Sequence, residues 1–102
     1  MEYEESEVKE ISKLIKQKLE NKESVMEDLI GVGTFAKVYK LFLPEINKNI
    51  ALKVFPKNLS KAHINPYLNF LKNIKKPFFA KIYDYIEDDN NYYIIMEYYQ
   101  LI

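Results

Sequence analysis

The sequence predicts an α+β domain: a five-stranded antiparallel sheet with one packed helix, preceded by a separate N-terminal helix. Three observations predict it. The first 24 residues contain neither Gly nor Pro and carry apolar residues at helical spacing. The rest of the chain breaks into short runs of β-branched and aromatic residues, separated by turn residues. Only one connection between those runs is long enough to hold a helix.

Two units follow: residues 1–24 as a charged amphipathic helix and residues 25–102 as the sheet domain. In the first, Val8, Ile11, Ile15 and Leu19 recur every three to four residues and make one apolar stripe. The acids Glu2, Glu4, Glu5 and Glu7 come early and the lysines Lys13, Lys16, Lys18 and Lys22 late, which complements the helix dipole. Glu5 and Lys9 add a pair one turn apart. The stripe suits either packing against the chain's own domain or binding a partner. Residues Asn21 to Ser24 are the candidate linker.

Five strands are expected at Val25 to Ile30, Lys37 to Leu43, Asn49 to Phe55, Phe79 to Ile86 and Tyr92 to Tyr99. Gly31 to Ala36, Pro44 to Lys48 and Asp88 to Asn91 are short, turn-rich connections and fit antiparallel hairpins. In the long connection, Asn65 can cap a helix with Pro66 at its first position, and Leu68, Leu71 and Ile74 mark one face. The predicted helix runs around Pro66 to Lys75.

Composition limits the chemistry. A chain of 102 residues has room for one modest core, burying roughly 60 to 70 per cent of its unfolded surface. Fifteen basic residues balance fifteen acidic ones, so no general electrostatic argument points to nucleic acid or an acidic membrane. With no Cys and one His, His63, there is neither a disulfide framework nor a zinc cage. No run approaches the roughly 20 apolar residues of a membrane span. A metal-free protein of the cytoplasm is the expectation.

Two segments carry chemistry. Ile30-Gly31-Val32-Gly33-Thr34-Phe35-Ala36-Lys37-Val38 lies between two expected strands, where its glycines let backbone amides approach a phosphate without an intervening Cβ. Alone, it is a weak signal that more often marks a simple hairpin turn, and the strand after it excludes a dinucleotide fingerprint. In Ile50-Ala51-Leu52-Lys53-Val54 a lysine interrupts an apolar strand. Lys53 either meets an anion or lies on a solvated strand face.

These two segments, with Lys76 to Asp84 and Ile94 to Tyr99 in that order, resemble the N-lobe of a eukaryotic protein kinase over about residues 26 to 100. The resemblance implies ATP as ligand. It implies that the loop Ile30 to Val38, with Gly31 and Gly33, covers the phosphates, that Ile30, Val38 and Ala51 line the adenine pocket, and that Lys53 contacts the α- and β-phosphates. It places Met96 at the gatekeeper position, Glu97 and Tyr99 where the hinge backbone would hydrogen-bond adenine, and Leu71 and Ile82 where they brace the helix against the sheet.

Two departures modify the expectation. Ala36 stands where the loop has its third glycine. Tyr67 stands where the lysine's glutamate partner belongs, and no acidic residue occurs from Ile46 through Tyr83. The catalytic-loop and magnesium-binding motifs of the larger lobe are absent from the 102 residues. The chain is therefore expected to be the ATP-binding portion of a Ser/Thr-kinase-like domain, inactive alone and without its own magnesium site. It could also be a fragment of a longer kinase. The alternative is a pseudokinase-like scaffold or interaction module, with a protein partner covering the apolar hinge side at Tyr98, Tyr99, Leu101 and Ile102.

Overall fold

A computed structural model describes residues 5–33, 36–58 and 82–99. The helix expected around Pro66 to Lys75, with Tyr67 and Leu71, lies outside the described residues, as do Thr34, Phe35, Leu101 and Ile102. The order of elements is helix α1 (Glu5–Glu20), then strands β1 (Asp28–Val32), β2 (Lys37–Leu43), β3 (Lys48–Pro56), β4 (Ile82–Glu87) and β5 (Asn91–Glu97). All four strand pairings are antiparallel, and the five strands form one sheet in the order β1-β2-β3-β5-β4.

Of the two readings of the N-terminal stripe, the structure has the helix on its own sheet. Ile11 and Ile15 are fully buried, Leu14 nearly so, and Val8 and Leu19 pack at the margin of the same cluster. Burying side chains of this size stabilises by about 1.5 to 3 kcal/mol each. Ser12 is also buried, and its hydroxyl donates to Asp84 Oδ2 at 2.7 Å. Further ion pairs tie the helix to the β2–β3 end of the sheet: Lys18 with Glu45 at 3.2 Å, and Lys48 with Glu7. The expected Glu5–Lys9 pair forms at 3.0 Å but is exposed, where such pairs contribute little.

The helix ends on a left-handed residue. Lys22 has φ of 58°, its amide donates to Leu19 O at 3.1 Å, and the Glu23 amide donates to Lys18 O at 2.9 Å. These two bonds make a Schellman C-cap, with a lysine where glycine is usual. The chain then turns back. Val25, expected to open the first strand, is instead a core residue packed with α1, and β1 begins three residues later.

Strand alternation divides the sheet into two faces. Ile50, Leu52 and Val54 of β3, Tyr93 and Ile95 of β5 and Leu43 of β2 face α1 and form the main core with it. Phe55, Tyr92, Ile94 and Ala36 form a smaller cluster with Ile82 and Met96, on the opposite face. A bulge in β4 between Ile82 and Asp84 lets Ile82 stay on that second face while Tyr83 joins the core under α1.

Candidate functional site

The register of the sheet assembles the candidate site. Gly31 pairs with Val38, Val38 with Lys53, and Lys53 with Ile94, which makes one row across four strands. The next row runs from Lys40 through Ala51 and Met96 to Ile82. Paired residues project to the same side. Since Ile94, Met96 and Ile82 belong to the cluster opposite α1, both rows lie on the face away from the helix. Rows two residues apart are roughly 7 Å from one another, so this patch is of ligand size.

Lys53 is half-buried, with Ala51 and Phe55 beside it on its own strand. Its Nζ lies 5.5 Å from the centroid of the Phe55 ring, which places the ammonium over an aromatic face. Val38 and Ile94 flank it across the sheet. Its setting is a cation on a largely apolar part of the sheet. Ala51 is buried in the second row, between Lys40 and Met96.

The glycines differ from ordinary turn glycines. Neither has a positive φ. A Cβ on Gly31 would make only ordinary contact with Val38 at 3.7 Å, and one on Gly33 would lie 3.5 Å from the Ala36 carbonyl oxygen. Among the described residues, then, the fold itself demands glycine at neither position. The hairpin narrows at this point, because the Gly33 amide donates to Ala36 O at 2.7 Å.

Other expected residues fall elsewhere. Ile30 is the residue skipped at the β1 bulge and is 48% exposed, and Val32 is 70% exposed. Lys37 pairs with Val54 and so belongs to the α1 face. Glu97 pairs with Ile50, which directs its side chain to the α1 face as well. Tyr99 lies beyond the end of β5 and is 56% exposed, and the Glu97 carboxylate holds its hydroxyl above the usual tyrosine range. The Glu97 side chain therefore lies off the site face.

One residue on the site face has no counterpart in the sequence reading. Lys40 lies beside Ala51, and its Nζ is 5.2 Å from the centroid of the Tyr98 ring, linking β2 to the segment after β5. Period-two alternation from Val38 would have placed Lys40 there. Among the described residues, no group of three or more His, Asp or Glu side chains could hold a metal ion.

Comparison with known proteins agrees with this fold. The family model described as "Protein kinase domain" matches residues 24–101. The chain belongs to the protein kinase family. This kinase segment is 33% identical over 79 residues to "Serine/threonine-protein kinase ULK3" of Rattus norvegicus, an alignment covering 72% of this chain and 17% of the relative. It is 31% identical over 78 residues to "CBL-interacting serine/threonine-protein kinase 12" of Arabidopsis thaliana, covering 72% and 16%. It is 28% identical over 74 residues to "Serine/threonine-protein kinase ATG1" of Debaryomyces hansenii, covering 68% and 8%. The chain thus spans less than a fifth of the length of these relatives. The matched region contains the whole sheet and leaves out α1.

Proposed function

We propose that this chain is the ATP-binding portion of a serine/threonine protein kinase, incomplete and inactive on its own. The observation that carries the reading is the register that brings Gly31, Val38, Ala51, Lys53 and Met96 onto one face of the sheet. On that face the glycine hairpin and Lys53 would hold the phosphates, Val38 and Ala51 would contact adenine, and Met96 would close the back of the pocket. The backbone at Glu97 to Tyr99 would hydrogen-bond the purine. Magnesium would come with residues of a larger lobe. The cytoplasm, where ATP is abundant, is the proposed location.

A second reading rests on one observation of the sequence: Tyr67 stands where the kinase resemblance expects a glutamate, and no Asp or Glu occurs from Ile46 through Tyr83. The chain would then act as a pseudokinase-like scaffold, with a protein partner on the hinge side near the exposed Tyr99. Thermal unfolding with increasing ATP separates the two. Nucleotide at 100 times its dissociation constant stabilises by about 2.7 kcal/mol, which for a domain of this size raises the midpoint by on the order of 10 °C. The expected result is such a rise, lost in Lys53→Ala. An unchanged midpoint at millimolar ATP would leave the scaffold reading in its place.

A further inference from the structure

The helix α1 lies outside the region shared with the kinase family, yet its contacts lead to the hinge. Glu7, in its first turn, forms an ion pair with Lys48, the first residue of β3. The Lys48 Nζ is 5.4 Å from the centroid of the Tyr83 ring. Tyr83 is the bulged residue of β4, and its neighbour Ile82 pairs directly with Met96. Two residues beyond Lys48, Ile50 pairs with Glu97. One residue after Tyr83, Asp84 accepts the buried Ser12 hydroxyl of α1. The electrostatics run along the same route. Glu7 first, with the neighbouring Tyr83, holds the Lys48 ammonium above the ordinary lysine range against the opposing effect of burial. Tyr99 responds first to Glu97 and also to Tyr83.

We infer that α1 supports the hinge end of the site through Glu7, Lys48 and Tyr83, and that Lys48 is a positioning residue for purine binding. It acts from the face of the sheet opposite the ligand. Tyr83 is the part that carries the effect, because it is packed under α1 while the residue before it touches Met96 on the site face. If the Glu7–Lys48 pair is broken, the ammonium no longer holds the Tyr83 ring in place, and the bulge that sets Ile82 against Met96 relaxes. Mutations along such contiguous contacts alter coupling between sites by a few-fold up to about thirtyfold. The role in purine binding rests on the nucleotide reading above, whereas the contact between α1 and the hinge does not.

The experiment records amide NMR spectra of the full chain as Glu7→Gln, Lys48→Met, the charge swap Glu7→Lys with Lys48→Glu, and Lys9→Met as control. Lys9 also pairs with an acid on α1, but in solvent, so its loss should leave the hinge unmoved. The expected result is that the amides of Met96, Glu97 and Tyr99 shift in Glu7→Gln and Lys48→Met and return toward their original positions in the swap. ATP affinity should fall about three- to tenfold in the single variants and recover in the swap. Shifts confined to α1 and the β2–β3 turn would overturn the inference, and so would hinge shifts that the swap does not reverse. Glu7→Gln is nearly isosteric and keeps the test open should Lys48→Met fold poorly. If the unaltered chain binds no ATP, nucleotide binding itself fails, and the hinge amides still decide whether α1 reaches the hinge.

Discussion

Asp88 ties the β4–β5 turn with a single carboxylate. Its Oδ1 accepts the amides of Asn90 at 2.9 Å and Asn91 at 2.8 Å, while its Oδ2 accepts the Tyr93 hydroxyl at 2.6 Å. Burial opposes ionisation of Asp88, but those hydrogen bonds, with Lys57 nearby, outweigh it and hold the carboxyl below its usual range. Its contribution to stability is therefore fully present above the unfolded value of about 3.9 and is lost as pH falls through the lower folded value. Tyr93 behaves in the opposite sense. Burial, and then the Asp88 carboxylate, push its hydroxyl up to about 12, so its contribution is present below about 10 and disappears between there and 12. Tyrosinate absorbance during alkaline titration should show a component with a midpoint near 12 that Tyr93→Phe removes. The same variant should cost about 1 kcal/mol in urea unfolding at neutral pH. An unchanged late component would mean that another tyrosine carries it. The turn at Asp88 was legible in the sequence, because Asp and Asn favour such turns. Its tie to Tyr93 was not, since nothing in a strand pattern says which hydroxyl reaches back to the turn.

At the scale of elements, α1 shows what a periodic stripe leaves open. Apolar spacing is the same whether a helix covers its own sheet or binds another protein, so the helix was legible and its seat was not. The fully buried Ile15 makes the difference measurable. Ile15→Ala should destabilise the whole chain by about 2 to 5 kcal/mol in urea unfolding, in a single transition, because the helix and the sheet share one core. A change below 0.5 kcal/mol would mean that α1 does not contribute to the cooperative unit. The C-cap offers a test of opposite sign. Lys22 takes a left-handed conformation that disfavours side chains, so Lys22→Gly should raise stability by up to about 1 kcal/mol. The strand positions were legible for β2 and β3 to within a residue at each end. The start of β1 was not, because Val25 has strand-like character but serves the core beneath α1. The bulges in β1 and β4 are likewise invisible to a strict alternation rule, although they decide that Ile30 is exposed and that Tyr83 turns toward the helix.

For the molecule as a whole, the sheet has a covered face and a site face, and the distinction follows from register. The motifs in the sequence identified Gly31, Gly33, Ala51, Lys53 and Met96, and strand pairing explains why residues up to 65 positions apart share one surface. Pairing also places the Lys37 and Glu97 side chains on the other side of the sheet. One consequence is functional. The groups that stabilise a transferring phosphoryl and orient its acceptor are each typically worth a few kcal/mol of barrier, and the catalytic-loop and magnesium motifs that would supply them are absent from these 102 residues. Incubation with labelled ATP, magnesium and a generic protein acceptor should therefore transfer no phosphate above background. Binding is a separate matter, and the contacts proposed for the nucleotide lie on the site face. The most direct measurement titrates ADP into the isotopically labelled chain and follows every backbone amide. The expected result is a set of concentration-dependent shifts at Gly31 to Val38, Ala51 to Lys53 and Met96 to Tyr99, with the exposed surface of α1 unmoved. Shifts confined to α1, or no shifts at millimolar ADP, would contradict a nucleotide site on this face of the sheet.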